Sequence, residues 1–125
     1  LQKSDLIILA ARPSMGKTAL ALNVAQKAAE RKYRGEPNGA AVGVFSLEMS
    51  AEQLAARMLS GAARIPSNRL TTGHLNAQEY DTLVQRSGEL ADLPLYIDDT
   101  PQLSINALRS RARRMKRQYG IGLII

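Results

Sequence analysis

Residues 11–18 read ARPSMGKT. An apolar run, DLIILAA at 5–11, precedes them, and an Ala- and Leu-rich run, ALALNVAQKAAE at 19–30, follows. Strand, short loop, helix is the setting of a phosphate-binding loop, G-x-x-x-x-G-K-[ST]. Gly16, Lys17 and Thr18 occupy their places in that pattern, and Ala11 stands where the first glycine is usual. Backbone N–H groups in a tight loop, followed by a helix N-terminus, make a cradle for phosphate. Within it Gly16 allows close backbone approach, Lys17 supplies a point charge for the β/γ-phosphates, and the Thr18 hydroxyl can hold Mg²⁺. The candidate nucleotide-binding residues are therefore Arg12, Pro13, Ser14, Met15, Gly16, Lys17 and Thr18, with Pro13 contributing no N–H. Alanine serves at position 11 provided its φ stays negative. The bland alternative is a chance A-x-x-x-x-G-K-T in a strand–helix connection.

Working outward, the chain reads β-α-β-α-α-β-α-β. Residues 5–11 form an apolar run expected of a strand buried on both faces, and 17–33 a helix. GEPNG at 35–39 is a turn cluster, and AAVGVFSL at 40–47 a second buried strand. Ser50 and Gln53 are spaced as a capping box for a helix to about Ala63. IPSNRLTTGH, from Ile65, reads as a loop. Asn76 and Glu79 start a further helix to about Leu90, LPLYID at 93–98 is a third strand, and Ser104 can cap a helix that Gly120 ends. Ile105, Leu108, Ala112, Met115 and Tyr119 mark its apolar side. GLII at 122–125 begins a fourth strand. Strands alternating with helices predict an α/β fold, mostly parallel, with helices on both faces of the sheet. Both ends read as cut, so residues 1–125 are expected to be part of one domain.

Composition narrows the classes. The chain has 125 residues, 45% hydrophobic and 22% charged, as in ordinary globular domains. No apolar run approaches the ~18 residues of a membrane span, and the N-terminal segment lacks a signal-peptide cleavage site. Cysteine is absent, which excludes disulfides and thiolate metal sites and fits a reducing cytoplasm. With His74 as the single histidine, a histidine-based metal cluster is excluded too. The net charge of +6 is localised. RSRARRMKR at 109–117 holds six of the 17 basic residues and no acid, and the rest of the chain is balanced. Two roles are open for this helix: contact with nucleic-acid phosphate, or a solvated or subunit-facing surface. Tyr33, Tyr80, Tyr96 and Tyr119 are too scattered along the chain for a base-stacking platform.

Two carboxylate sets compete for the chemistry. Glu48, in SLEMS at 46–50, follows the second strand and can orient a water in line with a γ-phosphate, or it can simply favour the positive end of the next helix. LPLYIDD at 93–99 reads by spacing alone as a metal-binding strand end, with Asp98 on Mg²⁺ and Asp99 as base.

ARPSMGKTALALN, followed by VGVFSLEMSAEQLAARML, resembles the replicative DNA helicases of the DnaB family, whose motor domain is RecA-like. PLYIDDTP, LRSRARRMKRQYG and GLII are similar in order and spacing, so the resemblance covers nearly the whole chain. It implies a RecA-like P-loop NTPase, an ATP-driven helicase motor using ATP and Mg²⁺, catalytic roles for Lys17 and Glu48, and alanine as an accepted residue at position 11. It also implies a homo-hexamer, single-stranded DNA held by later parts of the full-length chain, and primase and helicase-loader partners. The metal-side aspartate would fall just beyond GLII, which leaves Asp98 and Asp99 as strand-end and turn residues. The alternatives are a RecA-like ATPase of recombination or clock type that does not unwind DNA, and an inert nucleotide-binding fragment.

Overall fold

The computed structural model describes residues 2–12 and 16–125. Its elements run α1 (Lys17–Tyr33), β1 (Val42–Phe45), α2 (Ala51–Ala63), α3 (Ser67–Thr72), α4 (Ala77–Ala91), β2 (Leu95–Asp98), α5 (Ile105–Tyr119) and β3 (Leu123–Ile124). The three strands form one parallel sheet in the order β2-β1-β3. Val42 lies opposite Leu95 and Leu123, and Gly43 opposite Tyr96 and Ile124.

Side chains alternate across a strand, so this register sorts the sheet into two faces. One face carries Val42 and Val44, flanked by Leu95, Ile97, Leu123 and Ile125, and packs on Leu22, Ala25 and Ala29 of α1 and on Leu54 and Met58 of α2. The other is covered by α5. A Cβ placed on Gly43 would meet the Met115 sulfur at 3.0 Å and Ile121 beyond it. Helices therefore cover both faces, as the alternating sequence pattern predicts, and the fold class is α/β.

Local chemistry sets the helix boundaries. Ser50 and Gln53 cap each other's backbone at the start of α2, and Asn76 and Glu79 do the same for α4. Ser104 accepts from Ala107 N at the start of α5, and Gly120 ends that helix at φ 68°. The segment expected to be a loop contains α3. Pro66 precedes it and Gly73, at φ 73°, closes it, the proline-before, glycine-after punctuation of a short helix. Arg69 fastens it to α4 by donating to Glu79 and to the His74 carbonyl.

The strand expected over 5–11 does not form. Residues 5–12 run outside the sheet, and Leu6 and Ile8 are 87% and 83% exposed. An apolar run supplies burial but not hydrogen-bond partners, and β3, at one open edge, is two residues long. Among the described residues, no helix is long and apolar enough to cross a membrane.

Candidate functional site

Gly16 immediately precedes α1 with φ 79°. An added Cβ would have nothing within 4 Å, so the need for glycine here is the left-handed backbone rather than crowding. The Gly16 carbonyl accepts the first helical bond, from Leu20 N at 2.9 Å. Helix N-termini usually receive a side-chain cap or an acidic residue, and among the described residues α1 has neither; Arg31 and Lys32 lie in its last turn. Lys17 is exposed at the N-terminal end and Thr18 is half-buried. A helix whose positive end carries a lysine and no acid is arranged to receive an anion. Arg12 is exposed on the approach to the loop. Pro13, Ser14 and Met15 lie outside the described residues. Ala11 is not among the residues with positive φ, which meets the condition under which alanine is acceptable there.

α1 packs along β1 through Leu22, Ala25 and Ala29. The chain turns at 34–41, where Ala40 N donates to Ala28 O at 3.0 Å. The helix therefore runs back along the sheet, and its first turn points toward the carboxyl ends of the strands. Glu48 belongs to that same end. It is exposed in a bend, residues 47–49, between β1 and α2. Ser46 braces the bend, its hydroxyl donating to Met49 O at 2.8 Å and accepting from Met49 N at 3.2 Å.

Asp98 and Asp99 have other partners. Asp98 Oδ2 accepts from Arg111 Nη1 at 2.8 Å, and its Oδ1 from Thr100 N at 3.0 Å. Partial burial pushes the Asp98 carboxyl up, but the bonds from Arg111 and Thr100 and the Arg111 charge outweigh this and hold it below the usual carboxylate range. Asp99 Oδ2 accepts from Ala51 N at 2.8 Å. Both carboxylates thus brace the carboxyl end of β2. Among the described residues, no group of three or more His, Cys, Asp or Glu is arranged to hold a metal.

The basic helix divides into two sides. Arg111, Met115 and Tyr119, spaced by four, face the sheet: Arg111 binds Asp98 and Thr100, Met115 lies over Gly43, and Tyr119 stacks on Tyr96 with centroids 3.9 Å apart. Arg109, Arg113, Arg114, Lys116 and Arg117 are exposed. Tyr96 and Tyr119, far apart in sequence, are stacked on each other, because the register that sets Tyr96 beside Gly43 puts it under α5. Ile105, expected on the apolar side, is 73% exposed. Arg111 was hidden in the sequence by its charged neighbours; its four- and eight-residue spacing from Met115 and Tyr119 was the signal. A groove of about 1480 Å³ lies between α1, α2 and α4, and neither Lys17, Thr18 nor Glu48 lines it.

Comparison with known proteins gives this arrangement a family. The chain is 50% identical to the replicative DNA helicase DnaB of Rickettsia conorii over 125 residues, covering 97% of this chain and 25% of that protein. It is 44% identical to that of Geobacillus stearothermophilus, covering 99% and 26%. It therefore spans about a quarter of these relatives' length. A solved structure of a DnaB-like replicative helicase, described with its interactions with primase, superposes with a TM-score of 0.75 at 28% identity, over 86% of this chain and 24% of that one. A solved ATPase domain superposes equally well, with a TM-score of 0.75 at 28% identity, over 86% of this chain and 36% of that one. The family described as the DnaB-like helicase C-terminal domain matches residues 1–125, and the chain belongs to it.

Proposed function

We propose that residues 1–125 are part of the motor domain of a replicative DNA helicase, in which hydrolysis of ATP to ADP and phosphate drives translocation on single-stranded DNA and unwinding of the duplex. The observation that carries this reading is the uncapped, acid-free start of α1, opened by a left-handed Gly16 and bearing Lys17, on a chain whose family is that of helicase motors. The residues present fit a nucleotide phosphate and a hard cation: unopposed N–H groups, an exposed ammonium and a hydroxyl oxygen.

In this reading Lys17 stabilises charge on the β- and γ-phosphates, and the first-turn N–H groups of α1 orient them. Thr18 would hold Mg²⁺, which when bound neutralises charge on the phosphate oxygens. Glu48 orients the attacking water and takes its proton, a role that suits a carboxylate exposed at a strand's carboxyl end. The full-length protein would act as a homo-hexamer in the cytoplasm, with later parts of the chain on DNA and with primase and a loader as partners.

The test is Glu48→Gln in the full-length protein, read by ATP turnover, nucleotide affinity and strand displacement on a forked duplex. Turnover is expected to fall at least about 100-fold with ATP affinity retained. Unchanged turnover would remove Glu48 as the base. ATP turnover without strand displacement by the parent protein would favour an ATPase of recombination or clock type.

A further inference from the structure

The five-residue link that carries Glu48, residues 46–50, is held at both ends by consecutive residues of β2's carboxyl end. At its start, Ser46 N donates to the Asp98 carbonyl at 2.9 Å. Just past its end, Ala51 N donates to Asp99 Oδ2 at 2.8 Å. Between them Ser46 closes on Met49, and Ser50 caps Gln53. The capping box satisfies the N–H of the third helical residue of α2 and leaves that of the first to another acceptor. Asp99 fills that need from 48 positions away, as a carboxylate at a helix N-terminus, where negative charge is favoured.

We propose that Asp99 is a positioning residue for Glu48: its carboxylate fixes the first turn of α2, and through it the bend from which Glu48 reaches the attacking water. The inference rests on Glu48 being the base. Without Asp99 the link keeps its tether at Ser46 and loses the one at Ala51, so the bend can turn about its first residue. A displacement of about 1 Å in a reacting group costs up to about 100-fold in rate. Nucleotide affinity depends on the loop and α1, whereas the hydrogen bond of Asp99 goes to α2.

The experiment uses the full-length protein and four variants: Asp99→Ala, Asp99→Asn, Glu48→Gln, and Asp99→Ala combined with Glu48→Gln. For Asp99→Ala, kcat for ATP is expected to fall about tenfold or more with KM within about twofold. Asp99→Asn, which keeps an oxygen acceptor for Ala51 N, is expected to recover most of kcat. In the Glu48→Gln background, Asp99→Ala is expected to cost nothing further, because the residual reaction no longer uses the base. If Glu48→Gln lowers kcat and Asp99→Ala does not, the positioning role is overturned while the base assignment stands. If Glu48→Gln leaves kcat unchanged, the base assignment itself falls. An equal loss from Asp99→Ala in both backgrounds, or an Asp99→Asn variant as slow as Asp99→Ala, would also overturn the proposal, since the hydrogen bond to Ala51 N would then not be what positions Glu48. Should Asp99→Ala fail to fold, Asp99→Glu serves: its extra methylene displaces the Ala51 tether, and lower kcat with unchanged ATP affinity is expected, unchanged kcat being the contrary result.

Discussion

Replacing Arg111 by methionine keeps most of the side chain's length and removes its charge and donors. Arg111 Nη1 bonds Asp98 Oδ2 at 2.8 Å and Thr100 Oγ1 at 2.7 Å. Hydrogen bonds to charged groups contribute ~1.5–3 kcal/mol when well shielded. The Arg111 side chain is 37% exposed, however, and Asp98 is 16% exposed, so solvent screening brings the pair to about 1 kcal/mol. Asp98 keeps Thr100 N at 3.0 Å, and leaving it half-buried without its cation adds roughly 0.5 kcal/mol. The expected loss is about 1.5 kcal/mol, or about 6 °C in Tm for a domain of this size. The pH dependence provides a second check. The native Asp98 carboxyl lies below its ordinary value, so its stabilising contribution is complete above about pH 4. It is lost as pH falls through the depressed native value. The difference between parent and variant should therefore be constant near neutrality and shrink below about pH 4. Urea unfolding followed by circular dichroism from pH 3 to 7 measures both quantities. A difference under about 0.5 kcal/mol at pH 7, or one that does not shrink in acid, would refute the clasp as the anchor of α5.

Two further expectations concern packing and charge. At Gly39 an added Cβ would sit 2.3 Å from Lys32 N and 2.6 Å from the Arg31 carbonyl carbon. These are backbone atoms that cannot rotate away, so Gly39→Ala should destabilise by about 3 kcal/mol, and a urea midpoint within error of the parent would contradict the close approach of this turn to α1. On α5, Arg113 lies four residues from both Arg109 and Arg117. Arg113→Glu replaces two repulsive pairs by two attractive ones and should stabilise the helix by about 1 kcal/mol at low salt, less at high salt; thermal unfolding at two ionic strengths reads the effect, and a drop in Tm would show that Arg113 has a partner other than solvent.

Reading from sequence succeeded where one local rule decides the outcome. Ser50 with Gln53, and Asn76 with Glu79, are reciprocal caps whose spacing alone defines a helix start, and both form. Gly120 ends α5 because the left-handed conformation there suits glycine. The phosphate-loop motif placed Gly16 at the mouth of α1, where its φ now accounts for the residue. What escaped detection depends on neighbours distant in the chain. Tyr96 meets Tyr119 only because β2 pairs with β1 in a register that sets Tyr96 beside Gly43. Arg111 looked like one cation among six until α5 was laid on the sheet. The run at 5–11 has the hydrophobicity of a strand, yet a strand also needs a hydrogen-bonding neighbour, which a linear pattern cannot display. Asp99 could be read as a turn residue, but not as the acceptor for Ala51.

The sheet-facing stripe of α5 has a consequence for how the chain finds its alignment. Its three contacts are chemically unlike: a guanidinium on a carboxylate, a thioether over a bare glycine, and ring on ring. A slip of α5 by one turn would bring Arg111 toward the apolar spot at Gly43 and take its cation away from Asp98. Misplacing a charge in this way costs more than a mismatched pair of aliphatic side chains would. Identical leucines along the same stripe would tolerate such a slip with little penalty. The variety of the three contacts therefore ties α5 to one register more strictly than greasy packing alone would.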